Sequence, residues 1–194
     1  MDMIIAGGLS ILLSPLLVVI ALLVARDGGT PFFVHRRAGL RGRTFGCIKF
    51  RTMVTDADRR LAAVLASDPE AAAEWRAHFK LARDHRVTPF GRFLRKTSLD
   101  ELPQLWNVLC GDMSIVGPRP VTNEELERYG GVAGVVLSVR PGMTGLWQVV
   151  GRGRATTYAE RVEMDLRYVQ TMTLRRDVTI LLLTSLVVLR GTGS

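Results

Sequence analysis

The sequence predicts a mainly α-helical chain with one small antiparallel β-hairpin, attached to a membrane at its N-terminus. Three observations carry that expectation. Met3 to Ala25 contains no charged residue. Pro31–His35 and Thr44–Phe50 are short β-type segments joined by the Gly- and Arg-rich connection Arg37–Arg43. Beyond residue 55, helix-start signals recur between apolar stripes.

The N-terminal segment would extend about 35 Å as a helix, enough to cross a hydrocarbon core of ~30 Å. No basic region precedes it and no small-residue cleavage site follows, so a signal peptide is disfavoured. Two topologies stay open. A single span is the simple one. Against it, Ser14-Pro15 falls mid-segment, where proline removes a backbone bond. The nearby cations Arg26, Arg36 and Arg37 also all lie on the C-terminal side. A helix that breaks at Ser14-Pro15 and returns to the same face is allowed if the freed carbonyl finds a partner such as the Ser14 hydroxyl.

Asp27-Gly28-Gly29 then ends the apolar segment. In the hairpin, the alternation Lys49-Phe50-Arg51 would put the two cations on one face of a strand end. Asp56–Ala66 reads as a helix, and Ser67-Asp68-Pro69 restarts one with a cap and a proline at its first position. In the restarted helix Trp75 and Phe79 share a face as core residues. Thr157-Tyr158-Ala159-Glu160 is a capping box. The stripe that follows, Tyr158, Val162, Leu166 and Val169, includes the carboxylate Asp165, which must be paired, metal-bound or neutralised. Val178–Leu189 is apolar but too short to span, and fits either a core or the membrane interface.

The chemistry concentrates in Arg95-Lys96-Thr97-Ser98-Leu99-Asp100-Glu101-Leu102-Pro103-Gln104, followed by Gly117-Pro118-Arg119-Pro120. Adjacent carboxylates that bind a divalent metal, with arginines that clamp phosphate, are the parts phosphoryl transfer needs. Ser98 and Glu101 also fit a capping box, which by itself requires no chemistry. Pro103 would then sit inside the helix, where its ring is costly. A helix starting nearer Leu102 suits that proline better and leaves Asp100 just before a helix start.

A formal net charge of +8 and a pI near 10.5 point to an anionic partner: a membrane surface, a nucleic acid or a phosphorylated substrate. Cys47 and Cys110 are far apart, and His35, His78 and His85 lack zinc-ligand spacing, so disulfide and zinc frameworks are disfavoured. A non-catalytic basic module binding acidic lipid or nucleic acid would account for the charge. It would not account for two carboxylates placed among the cations.

Across nearly its whole length the chain resembles the monotopic phosphoglycosyl transferases, bacterial sugar transferases that start exopolysaccharide, O-antigen and capsule assembly. The resemblance rests on Ser14-Pro15, Lys49-Phe50-Arg51-Thr52-Met53, Thr97–Leu105, Gly111–Pro120, Arg140–Gly145 and Glu160-Arg161-Val162-Glu163-Met164-Asp165. It implies a re-entrant helix-break-helix over residues 1–28 and a catalytic domain over 29–194 on the cytoplasmic face of the inner membrane, with interfacial amphipathic helices.

It also implies that Asp100 attacks the β-phosphorus of a UDP-hexose, releases UMP, and passes the phosphosugar to polyprenyl phosphate. Asp100 and Glu101 would hold Mg²⁺, or Mn²⁺ in its place, with Glu101 alternatively a proton acceptor. Arg119 would bind phosphate, with Arg95, Lys49 and Arg51 as further phosphate candidates and Asp165 as a supporting acid. Membrane lipid is an implied partner and nucleic acid is not; a homodimer is compatible. Asp56–Asp84 and Gly142–Gln148 resemble the hexose-1-phosphate branch, galactose or glucose. The alternatives to covalent transfer are direct sequential transfer, with Asp100 only a metal ligand, and the non-catalytic membrane module.

Overall fold

A computed structural model describes residues 1–78, 81, 83–151 and 157–189, the side chains of residues 77, 78 and 189 excepted. The chain is mainly helical. In order it runs α1 (Asp2–Ala25), β1 (Phe32–Ala38), β2 (Thr44–Phe50), α2 (Ala57–Ser67), α3 (Pro69–His78), α4 (Pro89–Thr97), a 3₁₀ turn (Leu99–Glu101) and α5 (Gln104–Leu109). Then follow β3 (Ser114–Val116), α6 (Asn123–Glu127), α7 (Ala133–Val136), β4 (Gly142–Thr144), α8 (Leu146–Val150), α9 (Tyr158–Gln170) and α10 (Leu174–Leu189).

The expected hairpin is present: β1 and β2 pair antiparallel, with Phe32 opposite Phe50 and Ala38 opposite Thr44. A second pair was not expected. β3 and β4 run parallel, Ser114 beside Gly142 and Val116 beside Thr144. This pairing needs its glycines, because a Cβ on Gly142 would collide with the Gly117 backbone.

α1 is long and apolar enough to cross a membrane. The expected interruption at Ser14-Pro15 is not a gap in the helix, which continues through Pro15. The reason is local. The missing Pro15 N–H would have served the Ile11 carbonyl, and the Ser14 hydroxyl donates to that carbonyl instead, at 2.8 Å.

Most of α1 faces outward, but both its ends hold to the rest of the chain. Ala6 joins a core with Leu105, Val108, Met113, Ile115 and Ile180; Ile20 and Val24 join another with Phe50 and Leu94. The Ser114 hydroxyl donates to the Asp2 carboxylate at 2.7 Å, and Arg51 donates to the Val24 carbonyl at 3.0 Å. α10 is two-faced: Ile180 is buried and the Thr184 hydroxyl bonds that of Thr144, while Leu182 and Leu186 are exposed.

The remaining helix signals hold. Asp68 accepts from the amides of Glu70 and Ala71 at the start of α3, and Thr157 with Glu160 closes the capping box of α9. Phe79, expected beside Trp75, lies outside the described residues. The capping box expected at Ser98 does not form. Ser98 takes a left-handed φ of 57° and ends α4, so its backbone turns the chain and its side chain caps no helix behind it. Pro103 instead precedes α5, the arrangement that suits its ring.

Candidate active site

The Asp100–Glu101 turn is fixed from both sides. Thr88 caps α4, and Gly91 lets that helix lie directly on the Thr52 backbone. Leu94 is fully buried against Phe50, Ile20 and Val24. After the turn, α5 buries Leu105 and Val108 on one side and the polar Asn107 on another. Asn107 holds β2 through its backbone: its amide donates to the Gly46 carbonyl at 2.8 Å, and its carbonyl accepts from the Ile48 N–H at 3.0 Å. β2 therefore presents Lys49 to the turn, where its ammonium meets the Glu101 carboxylate at 2.6 Å.

Asp100 lies in a field with opposing parts. Burial, with the neighbouring Glu101 charge, pushes its carboxyl up to about 6, against the pull of Lys49 and Arg95. Arg95 is itself desolvated, and its Nε donates to the Thr52 hydroxyl at 2.9 Å. The two adjacent carboxylates repel each other. Such a pair fits Mg²⁺ or Mn²⁺ if a diphosphate completes the oxygen shell, since Mg²⁺ commonly takes one or two carboxylates plus substrate phosphates. No cluster of three or more metal-ligating side chains occurs among the described residues.

Across a small cavity from Lys49, Glu101 and Gln104 stand Arg37, Arg119 and Gln148. Arg119 is held by the loop after β3: the Gly142 N–H donates to the Pro118 carbonyl at 2.8 Å and the Gly117 N–H to the Thr144 carbonyl at 2.9 Å. The Arg119 guanidinium lies 5.4 Å from the Trp147 ring centre, and Arg161 lies 5.0 Å from the same ring. Glu125 partly balances these cations, at 2.8 Å from Arg37 and 3.8 Å from Arg161. Arg161 Nε and Nη2, Trp147 Nε1 and Gln148 Oε1 are buried and have no hydrogen-bond partner among the described residues.

Asp165 stands behind Arg119. It is buried and accepts from the Tyr129 hydroxyl at 2.8 Å; burial raises its pKa, against the pull of that hydroxyl, of the Arg161 charge and of the nearby Arg119 backbone N–H and charge. Its recorded hydrogen-bond partner is thus a phenol, with no ion pair to an arginine among the described residues.

Asp100, Glu101, Lys49 and Arg95 come together; of these Lys49 and Glu101 line the cavity with Arg119, while Asp100 and Arg95 are not among its lining residues, and Asp165 lies beside Arg119. Arg51 does not join them. β2 ends at Phe50, and the Arg51 guanidinium turns to Asp27 at 2.5 Å and to the carbonyls of Val24, Thr30 and Met53. It ties α1 to the hairpin rather than facing the cavity. Ser14 and Pro15 lie on the exposed side of α1, outside the cavity.

Residue patterns alone gave no role to Arg37, Trp147, Gln148 or Arg161. Arg161 had one usable signal: it precedes Asp165 by one helical turn, on the same face of α9.

Residues 1–191 match the family described as Bacterial sugar transferase. The chain is 52% identical over 190 residues to the UDP-galactose-lipid carrier transferase of Erwinia amylovora, covering 97% of this chain and 40% of that protein. It is 52% identical over 184 residues to the undecaprenyl-phosphate galactose phosphotransferase of Salmonella typhimurium, covering 95% and 38%. It is 50% identical over 194 residues to the exopolysaccharide production protein ExoY of Sinorhizobium fredii, covering 100% and 85%. The chain thus spans about two fifths of the Erwinia and Salmonella proteins and most of the Sinorhizobium one. With its full length matched and identities near one half, the chain belongs to the bacterial sugar transferase family.

Proposed function

We propose that this protein transfers a hexose-1-phosphate from a UDP-hexose to polyprenyl phosphate through a phosphosugar carried on Asp100. The observation that carries this reading is the Asp100 carboxylate itself. It sits in a half-buried turn among Lys49, Arg95 and Glu101, with a pKa about 6 that keeps it largely ionised at neutral pH yet partly desolvated. A desolvated, positioned carboxylate is an activated nucleophile. The substrate classes are taken from the relatives: UDP-galactose is named for the Erwinia protein and undecaprenyl phosphate for the Salmonella one.

In the first half-reaction an Asp100 oxygen bonds to the β-phosphorus and the bond from that phosphorus to the bridging oxygen breaks. UMP departs with the electron pair. In the second, a phosphate oxygen of the acceptor bonds to the same phosphorus and the bond to Asp100 breaks, restoring the carboxylate and giving polyprenyl-diphosphate-hexose. Arg119, which lines the cavity with Lys49 and Glu101, would clamp phosphate there. Arg161 and Arg37 extend the cationic wall toward the leaving nucleotide, where Arg161 has two nitrogens to offer. Asp165 and Tyr129 hold the Arg119 backbone in place. Bound Mg²⁺ or Mn²⁺, held by Asp100 and Glu101, would neutralise diphosphate charge.

The same reading sets residues 1–28 in the inner membrane and residues 29–194 at its cytoplasmic face. The support is that Asp2 and Val24, at opposite ends of α1, bond to the same body through Ser114 and Arg51. The decisive experiment uses sugar-labelled UDP-hexose without acceptor. Labelled phosphosugar should remain on the wild-type protein, map to Asp100, and be absent from Asp100→Asn. Full turnover by Asp100→Asn would reject the aspartate as nucleophile.

A further inference from the structure

Beside the polar cavity lies a second one of opposite character. Its volume is 460 Å³, within the range of about 300–1,000 Å³ usual for small-molecule sites. Ser10 and Leu17 of α1 form one wall, Val34 and Ile48 of the hairpin another, Leu102 and Trp106 a third. Val34 and Trp106 are 57% and 62% exposed, so the groove is open as well as apolar.

The two cavities share a partition built twice over. β2 alternates, turning Cys47 and Lys49 toward the polar cavity and Ile48 and Phe50 toward the groove. The segment after Asp100 does the same, with Glu101 and Gln104 on the polar side and Leu102 and Pro103 on the apolar side. The groove therefore starts one residue beyond the carboxylate pair and runs along the apolar surface of α1.

Building on the transfer reaction above, we propose that this groove binds the phosphate-proximal isoprene units of the polyprenyl phosphate acceptor. Its phosphate then crosses the partition to Lys49 and the phosphorylated Asp100. The chemistry favours this occupant over an ordinary bilayer lipid. A polyprenyl phosphate joins its chain directly to one phosphate, matching a partition one residue wide with a cation on the far side. A diacyl lipid interposes a glycerol backbone at that point. The remaining chain continues along the exposed side of α1, which carries no charged residue between Met3 and Ala25.

The test uses the full chain in phospholipid vesicles, with undecaprenyl phosphate as acceptor. Val34→Trp fills the groove from an exposed strand position, and Trp106→Ser opens its wall. Both should raise the acceptor KM by about tenfold or more, the scale of a misfit in an apolar site. Both should leave UMP release and adduct formation from UDP-hexose within about twofold of wild type. Leu182→Trp, on the exposed face of α10, should change neither. A polyprenyl phosphate with a diazirine in its first isoprene unit should label groove residues, and unlabelled undecaprenyl phosphate should displace it.

Unchanged acceptor KM in both groove variants would overturn the proposal. So would groove labelling by a diazirine phospholipid that undecaprenyl phosphate cannot displace. Failure of the covalent mechanism is a separate result: wild type would then form no adduct, while acceptor KM and isoprenoid labelling would still report on the groove.

Discussion

Asp100 is costly to the fold in the way functional carboxylates often are. Its pKa lies above the ordinary 3.8, at about 6, so the folded state binds its proton more tightly than the unfolded state does. Between those values stability falls as pH rises, and above about 6 the full cost is present. Asp100→Asn should therefore raise thermal stability at pH 7 by on the order of 2 kcal/mol while abolishing the adduct. Denaturation measured at pH 4 and pH 7 checks this, since the gain should vanish at the lower pH. The adduct-forming kcat/KM should rise with pH and level off above about 6. Glu101→Gln removes a repelling charge and should move that rise to lower pH. If the carboxylate pair holds a metal, EDTA should stop adduct formation and Mg²⁺ restore it; full activity in chelator would dismiss the metal. Arg161→Gln should weaken UMP binding by roughly tenfold, the scale of one charge-assisted hydrogen bond. Titration calorimetry reads that change, and unaltered affinity would remove Arg161 from the nucleotide side.

At the scale of elements, what was legible in the sequence followed spacing. The β1–β2 pairing, the Asp68 cap and the Thr157–Glu160 box are local patterns, and each formed as expected. Ser98 was ambiguous because a serine three residues before a glutamate fits a cap, while its actual role depends on α4 ending there. Alternation set Arg51 on the same strand face as Lys49, yet its partner Asp27 sits beyond the end of a different element, which no local pattern reveals. β3 and β4 are three residues each, too short for periodicity to register, and are recognised only through the glycines that let them meet. Asn107 shows what such long-range ties do. It holds β2 from α5 with two backbone hydrogen bonds, so Lys49 stays beside Glu101. Asn107→Leu would leave the Ile48 N–H and Gly46 carbonyl without those bonds, at a cost of about 1–3 kcal/mol for each group left buried and unpaired. The variant should unfold at lower denaturant. Its adduct formation should also slow under conditions where it remains folded, and an unchanged rate there would show that β2 does not depend on this tie to place Lys49.

For the whole molecule, the apolar surface is one-sided in origin but not confined to one element. α1 exposes Ile4, Ile11 and Leu22, β1 exposes Phe33, and α10 exposes Leu182 and Leu186. An apolar surface of this kind needs a partner, and a bilayer supplies one. A spanning α1 would carry Asp2 to the opposite side of the membrane and break its bond with Ser114. The bond made by Arg51 to the Val24 carbonyl fixes the other end to the same body. With both ends tied to one body, the topology proposed above expects both ends of the helix on one side of the membrane. A protease-cleavable tag before Met1 and a cysteine replacing Arg26, in a Cys110→Ser background, report the two ends separately. In intact spheroplasts both should be protected, and in inverted membrane vesicles both should be cut or labelled. Tag cleavage in spheroplasts with a protected residue 26 would mean that α1 spans. Pro15→Leu should shift part of the population toward that outcome, because it restores the backbone donor to Ile11 and favours a regular, span-length helix.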